Sequence, residues 1–82
     1  MRKRKLLAVV INSIHNVKFK DFEALMAYFG FVLRRTNGSH MIYKNREINQ
    51  SLVVQNDKGK AKPYQVKQFL ELIETHQIEM EE

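Results

Sequence analysis

The chain contains no cysteine. That removes disulfides, thiolate zinc sites, iron–sulfur clusters and thiol nucleophiles, and it suits a cytoplasmic protein. Long apolar runs are missing too. The longest, Leu6 to Ile11, covers six residues, against the roughly 20 that cross a bilayer. Arg2-Lys3-Arg4-Lys5 ahead of it resembles the start of a secretory signal. The run is too short for one, however, and Asn12 and His15 interrupt it with no small-residue cleavage site behind. A soluble cytoplasmic protein with no membrane partner is therefore expected. There are no internal repeats and no low-complexity linkers.

Acidic residues are scarce until the end. Five of the nine, Glu71, Glu74, Glu79, Glu81 and Glu82, lie in the last twelve positions. Residues 1–70 hold all 14 lysines and arginines against Asp21, Glu23, Glu47 and Asp57, a net of +10 within a chain of net +5. A basic body of this kind suits a polyanionic partner such as nucleic acid, or simply a solvated basic surface. With 82 residues, one domain over 1–82 is expected, its core at about 17–76 and an acidic, fraying tail at 77–82. A domain of this size buries roughly 60–65% of its unfolded surface, so no large enclosed pocket and no cofactor is expected.

Periodicity gives the order α-α-β-β-β-α. Leu6, Val9, Val10 and Ile14 place a first helix over about Lys3 to His15. Phe22, Leu25, Met26 and Phe29 follow i, i+3, i+4, i+7 and place a second over Lys20 to Phe29, with Gly30 as the left-handed stop. Phe31 to Thr36 and Ser39 to Lys44 flank Asn37-Gly38, which predicts a hairpin with a type I′ turn. Leu52-Val53-Val54 reads as a third strand and Asn56 to Lys62 as a polar loop. The last helix starts at Pro63, where the missing N–H costs nothing, and carries Val66, Phe69, Leu70 and Ile73 on one stripe. The expected fold is α+β: a three-stranded antiparallel sheet with one face covered by helices, the α-β-β-β-α order of double-stranded-RNA-binding domains with an extra N-terminal helix.

A two-residue turn at Asn37-Gly38 pairs Arg35 with His40, and paired side chains lie roughly 5 Å apart on one face. Arg34 falls on the opposite face in that register. A histidine beside a guanidinium suits RNA scission. The imidazole of this residue type exchanges protons near neutral pH, and a guanidinium stabilises the charge that grows on the phosphate. That chemistry requires no metal, and no two histidines share a strand or a helical i, i+4 face, so no metal site is expected. On spacing alone, a single hairpin histidine is usually an ordinary surface residue. A second candidate is Lys58-Gly59-Lys60-Ala61-Lys62-Pro63-Tyr64, in which three lysines precede a helix N-terminus that attracts phosphate and Tyr64 stands ready to stack on a base. Its alternative is a solvated loop.

Gly30-Phe31, Arg34-Arg35, then Gly38-Ser39-His40 with Tyr43 resemble the HicA toxins of bacterial toxin–antitoxin pairs. Gly59 to Val66 followed by an amphipathic helix is similar to a subgroup of that family, and the resemblance covers about Val17 to His76. It implies a double-stranded-RNA-binding-like fold and a ribosome-independent endoribonuclease that cleaves mRNA. It also implies growth arrest when the protein is freed from a HicB-like antitoxin. The family's catalytic histidine falls on His40, with Gly38 and Ser39 as the turn that presents it. Two departures stand out. Many members carry a second histidine where Met41 stands, and a Pro and another His where Gln55-Asn56-Asp57 stands. A two-histidine acid–base pair is thereby lost, and the general acid is left among Lys60, Lys62 and Tyr43. The resulting expectation is His40 as general base, with Arg34, Arg35, Gly38, Ser39, Lys58, Lys60, Lys62 and Tyr64 on the substrate. Its alternatives are a non-catalytic RNA-binding module of the same fold and a basic protein that meets an acidic partner.

Overall fold

The computed structural model describes residues 2–81; Met1 and Glu82, the last of the five terminal acids, lie outside the described residues. Helix α1 covers Lys3–Asn12, stopping three residues short of the expected His15. Stiff Val9, Val10 and Ile11 lead into Asn12 and Ser13, whose side chains compete for backbone hydrogen bonds. Ser13 leaves the helix at φ −137°, and Ile14–Asn16 form a separate 3-10 turn. Only Leu6 and Val10, one turn apart, are buried from this helix; Val9 and Ile11 stay exposed.

Helix α2 covers Phe19–Tyr28, one residue earlier than expected at each end. It buries Phe19, Phe22, Leu25 and Met26. Gly30 then takes φ +82°, the left-handed conformation that ends the helix. Strands β1 (Phe31–Asn37), β2 (His40–Asn45), β3 (Ser51–Asp57) and β4 (Lys60–Ala61) form an antiparallel meander in the order β1-β2-β3-β4. Helix α3, Pro63–Thr75, returns across the same face as α1 and α2 and starts on its proline as expected. The architecture is the α+β, double-stranded-RNA-binding-like order with an added front helix.

Phe69 centres the core. Its ring meets those of Phe22, Phe29 and Phe31 edge to face at 5.5–5.7 Å, each contact contributing about 0.5–1.5 kcal/mol beyond burial. Leu52 and Val54 from β3 and Val66 from α3 close the cluster.

Three features correct the sequence reading. The sheet has a fourth strand. Asn56 pairs with Ala61 and Asp57 with Lys60 around Lys58-Gly59, both at positive φ, the signature of a type I′ turn. On its other side the Ala61 N–H donates to the Val17 carbonyl and the Phe19 N–H to the Gly59 carbonyl, both at 2.9 Å. Two residues carry no readable alternation, which is why this segment looked like a loop. Secondly, residues 77–81 turn back onto the body of the protein. Gln77 takes φ +51°; its N–H donates to Glu74 O and that of Ile78 to Ile73 O. This reversal folds Ile78 back onto the core. Beyond it the Glu81 N–H donates to the Tyr28 carbonyl.

The third correction is the hairpin register. The turn is Gly38-Ser39, not Asn37-Gly38, and pairs Asn37 with His40, Thr36 with Met41 and Arg35 with Ile42. Gly38 has φ +64° and Ser39 does not share it, which is the type II′ arrangement with glycine first. A bulge then leaves Arg34 unpaired between Leu33↔Tyr43 and Arg35↔Ile42. The reason is burial. The Asn-Gly register sets Phe31 on one face with Lys44, whereas the observed one sets buried Phe31 with buried Asn45 and half-exposed Leu33 with buried Tyr43.

Candidate active site

Strand β2 is the centre of the site because its alternate residues serve opposite faces. Met41, Tyr43 and Asn45 turn toward the helices; His40, Ile42 and Lys44 turn to the outer face. From β3, Val53 and Gln55 stand opposite Ile42 and His40 on that outer face. The bulge puts Arg34 and Arg35 together opposite Ile42, since two residues of the bulged strand there share one partner. Both arginines therefore lie on His40's side of the sheet. Arg35 is diagonal to His40 rather than directly across, a separation of roughly 7–8 Å between backbones that a guanidinium spans easily. The paired Arg35–His40 geometry expected from sequence is replaced by this diagonal one.

His40 is exposed, and among the described residues no protein group hydrogen-bonds its imidazole. Its cross-strand neighbour Gln55 is held on two sides. The Gln55 N–H donates to Gln65 Oε1 at 2.9 Å, and its Nε2 donates to Ser39 Oγ at 3.3 Å. Since that N–H is spent on Gln65, His40 and Gln55 form a non-hydrogen-bonded pair, the type with the closer side chains. Gln65 is buried, and its Nε2 reaches the Tyr64 hydroxyl at 3.4 Å. One run of contacts thus links the Gly38-Ser39 turn through Gln55 to the first turn of α3. Neither glutamine stood out in the sequence. Gln65 was hidden because its role, completing a ladder that β4 is too short to satisfy, exists only once β4 is seen.

The lysine segment lies at the same end of the sheet as His40, one turn past Gln55 on β3. It is a pinned hairpin, and its cations are unequal. Lys58 sits exposed at the turn. Lys60 Nζ donates to Asn16 Oδ1, and Lys62 approaches the Asp57 carboxylate at 3.9 Å. Tyr64 is 63% exposed, so its ring is open to stacking. Tyr43, by contrast, is on the core face. Its hydroxyl donates to Glu23 Oε2 at 3.2 Å, and burial, reinforced by the Glu23 carboxylate, pushes its pKa up to about 12. It shares no face with His40 and drops out as the general acid. Lys60 and Lys62 are left at the correct end, each with a partner.

Chemically, the outer face offers an imidazole with no hydrogen-bond partner among the described residues, two guanidiniums and an amide braced beside the turn, and the same end of the sheet carries a cationic hairpin and an exposed aromatic ring. No helix among the described residues is long and apolar enough to cross a membrane. The family model described as HicA toxin of bacterial toxin-antitoxin matches residues 19–74, more than half of the chain. No curated protein and no solved structure matches it.

Proposed function

This chain belongs to the HicA family, the toxins of bacterial toxin–antitoxin pairs, and from that premise we propose that it is a ribosome-independent, metal-independent endoribonuclease of mRNA. His40 is its general base. The observation that carries this reading is the outer face of the hairpin, where a free imidazole shares one side of the sheet with Arg34 and Arg35.

In this mechanism RNA crosses the outer face with the scissile phosphate at the Gly38-Ser39 end. His40 removes the proton from the attacking hydroxyl, whose oxygen bonds to phosphorus as the phosphorus–oxygen bond to the leaving nucleotide breaks. The leaving oxygen takes a proton from water. General-base assistance of this kind contributes typically 10²–10⁴ in rate. Arg35 meets the phosphate as negative charge builds on its oxygens. The type II′ turn fixes where His40 projects, and Gln55 braces that turn through Ser39. Lys58, Lys60 and Lys62 hold flanking phosphates, and Tyr64 stacks on a base. A HicB-like antitoxin would silence the protein by covering this face, and the working compartment is the cytoplasm, where mRNA is found.

One observation favours a second reading. His40 lacks a second histidine and an orienting hydrogen-bond partner, so a non-catalytic RNA-binding module of the same fold accounts for the same surface. Incubating purified protein with mRNA in EDTA, wild type beside His40→Ala, separates the two. Cleavage by the wild type alone, with the variant slower by about 10³-fold, supports the nuclease. Binding by both with product from neither would transfer the site to the binding module.

A further inference from the structure

A second cationic feature lies at the other end of the hairpin. Val32, Arg34, Lys44, Asn45 and Arg46 line a groove of about 320 Å³. Its three cations come from three different local causes. The bulge re-aims Arg34. Lys44 follows His40 and Ile42 in the outward parity of β2. Arg46 is fixed at the end of that strand by its N–H, which donates to the Gly30 carbonyl at 3.1 Å, while Asn45 beside it is anchored in the core. His40 and Lys44 are four residues apart on one strand, roughly 13 Å at the rise of an antiparallel strand. That is too far for both to serve one phosphate, and it runs along the face on which His40 stands.

Resting on the ribonuclease reading, we propose that this groove is a second phosphate-binding subsite, which holds the RNA backbone away from the scissile position and sets its direction across the sheet. Three cations around a polar groove suit a ligand with repeated negative charge. A protein partner would call for an apolar centre, and an apolar cleft lies elsewhere among the described residues, between α1 and α3 around Leu7, Ile11, Leu70 and Ile73. One of its cations, Arg46, already has an exchangeable anionic partner. Glu81 Oε2 lies 3.4 Å from the Arg46 guanidinium, with both side chains about half exposed or more. Exposed pairs of this kind contribute little, so a phosphate displaces the carboxylate. The returning tail thus places an internal competitor on the subsite.

The test is fluorescence anisotropy with a labelled single-stranded RNA oligonucleotide over a salt series, in the His40→Ala background so that nothing is cut. Adding Lys44→Gln and Arg46→Gln is expected to weaken binding about tenfold and to lower the salt slope by about 1.4, at roughly 0.7 per phosphate contact on single strands. Adding Lys20→Gln and Lys67→Gln instead removes equal charge from exposed positions of the helical layer and should weaken binding far less. Equal loss from the two pairs, or no loss from the groove pair, overturns the subsite. So does a groove pair that lowers affinity for an acidic antitoxin while leaving RNA affinity intact. Failure of the nuclease reading would appear separately, as wild-type protein that binds RNA and yields no product.

Discussion

The two faces of strand β2 divide the molecule's work by parity. Inward, every polar group is matched. Asn45 Nδ2 donates to the Phe29 carbonyl at 2.8 Å, and its Oδ1 accepts the N–H groups of Glu47 and Ile48. Tyr43 is matched to Glu23. Among the described residues no buried side-chain nitrogen or oxygen lacks a partner. Outward, no group among the described residues hydrogen-bonds the side chains of His40 and Lys44. Buried polar groups left unpaired are costly, so the inner face must be self-sufficient, whereas water keeps the outer groups solvated until a ligand replaces it. Adjacent residues of one strand therefore meet different physical requirements: odd numbers face the core, even numbers face solvent.

Substitutions along β2 test that division directly. The largest effect expected outward is that of His40→Ala. It should abolish toxicity and cut cleavage by about 10³-fold, equivalent to about 4 kcal/mol of barrier, while moving the denaturation midpoint by little, since His40 is exposed. A large stability loss would show that the outer face also carries the fold. The largest effect inward is that of Asn45→Ala, which leaves a helix-terminal carbonyl and two loop N–H groups without their partner. About 3 kcal/mol of stability should be lost, read by urea denaturation.

Tyr43→Phe is the next smaller test. Removing the hydroxyl takes a donor from the Glu23 carboxylate, and about 1–2 kcal/mol should go at neutral pH. The sign with pH is fixed by the direction of the shift. Tyr43 has a folded-state pKa raised to about 12, above the ordinary tyrosine value of about 10. The protonated form is thus the one the fold favours. Its contribution is fully present below pH 10 and is lost as pH rises through 12. The stability gap between wild type and Tyr43→Phe should therefore be constant up to about pH 10 and close above it. A gap that widens with pH would contradict the Glu23 contact.

The long, strongly periodic pieces were legible in the sequence: α2 from Phe22, Leu25 and Met26, α3 from Pro63 and Phe69, and the existence of the first hairpin from Asn37-Gly38-Ser39. What escaped were features decided by tertiary competition. Asn-Gly and Gly-Ser are both good two-residue turns, and local chemistry does not choose between them. The choice falls to the burial of Phe31 with Tyr43, which requires a bulge at Arg34 that no spacing rule announces. Strand β4 escaped because two residues have no period, and the tail because its acidic composition conceals Ile78. For the site, residue types and neighbourhood were readable, including His40 with its arginines and the lysine segment. The diagonal placement of Arg35, the outward turn of Arg34 and the bracing glutamines follow from register and became visible only with it.

The smallest expected effect sharpens the comparison at the point where the two faces meet. Gly38 and Gly59 sit in the two hairpin turns at one end of the sheet, at φ +64° and +87°. A Cβ built on either meets no atom within 4 Å, so alanine adds no clash, and only the left-handed backbone is penalised. Gly59→Ala should cost about 1 kcal/mol, and Gly38→Ala about 2 kcal/mol, because the first position of a type II′ turn lies outside the left-handed helical region. The functional costs are expected to diverge further than these stability costs. Gly38→Ala alters the turn that fixes where His40 projects, whereas Gly59→Ala acts on a hairpin held on its far side by Val17 and Phe19. Single-turnover cleavage at saturating RNA should fall several-fold more for Gly38→Ala than for Gly59→Ala. Equal losses would mean that both hairpins are coupled to the reacting end of the sheet, and the outer face would then have to be treated as one unit from Gly38 to Lys60.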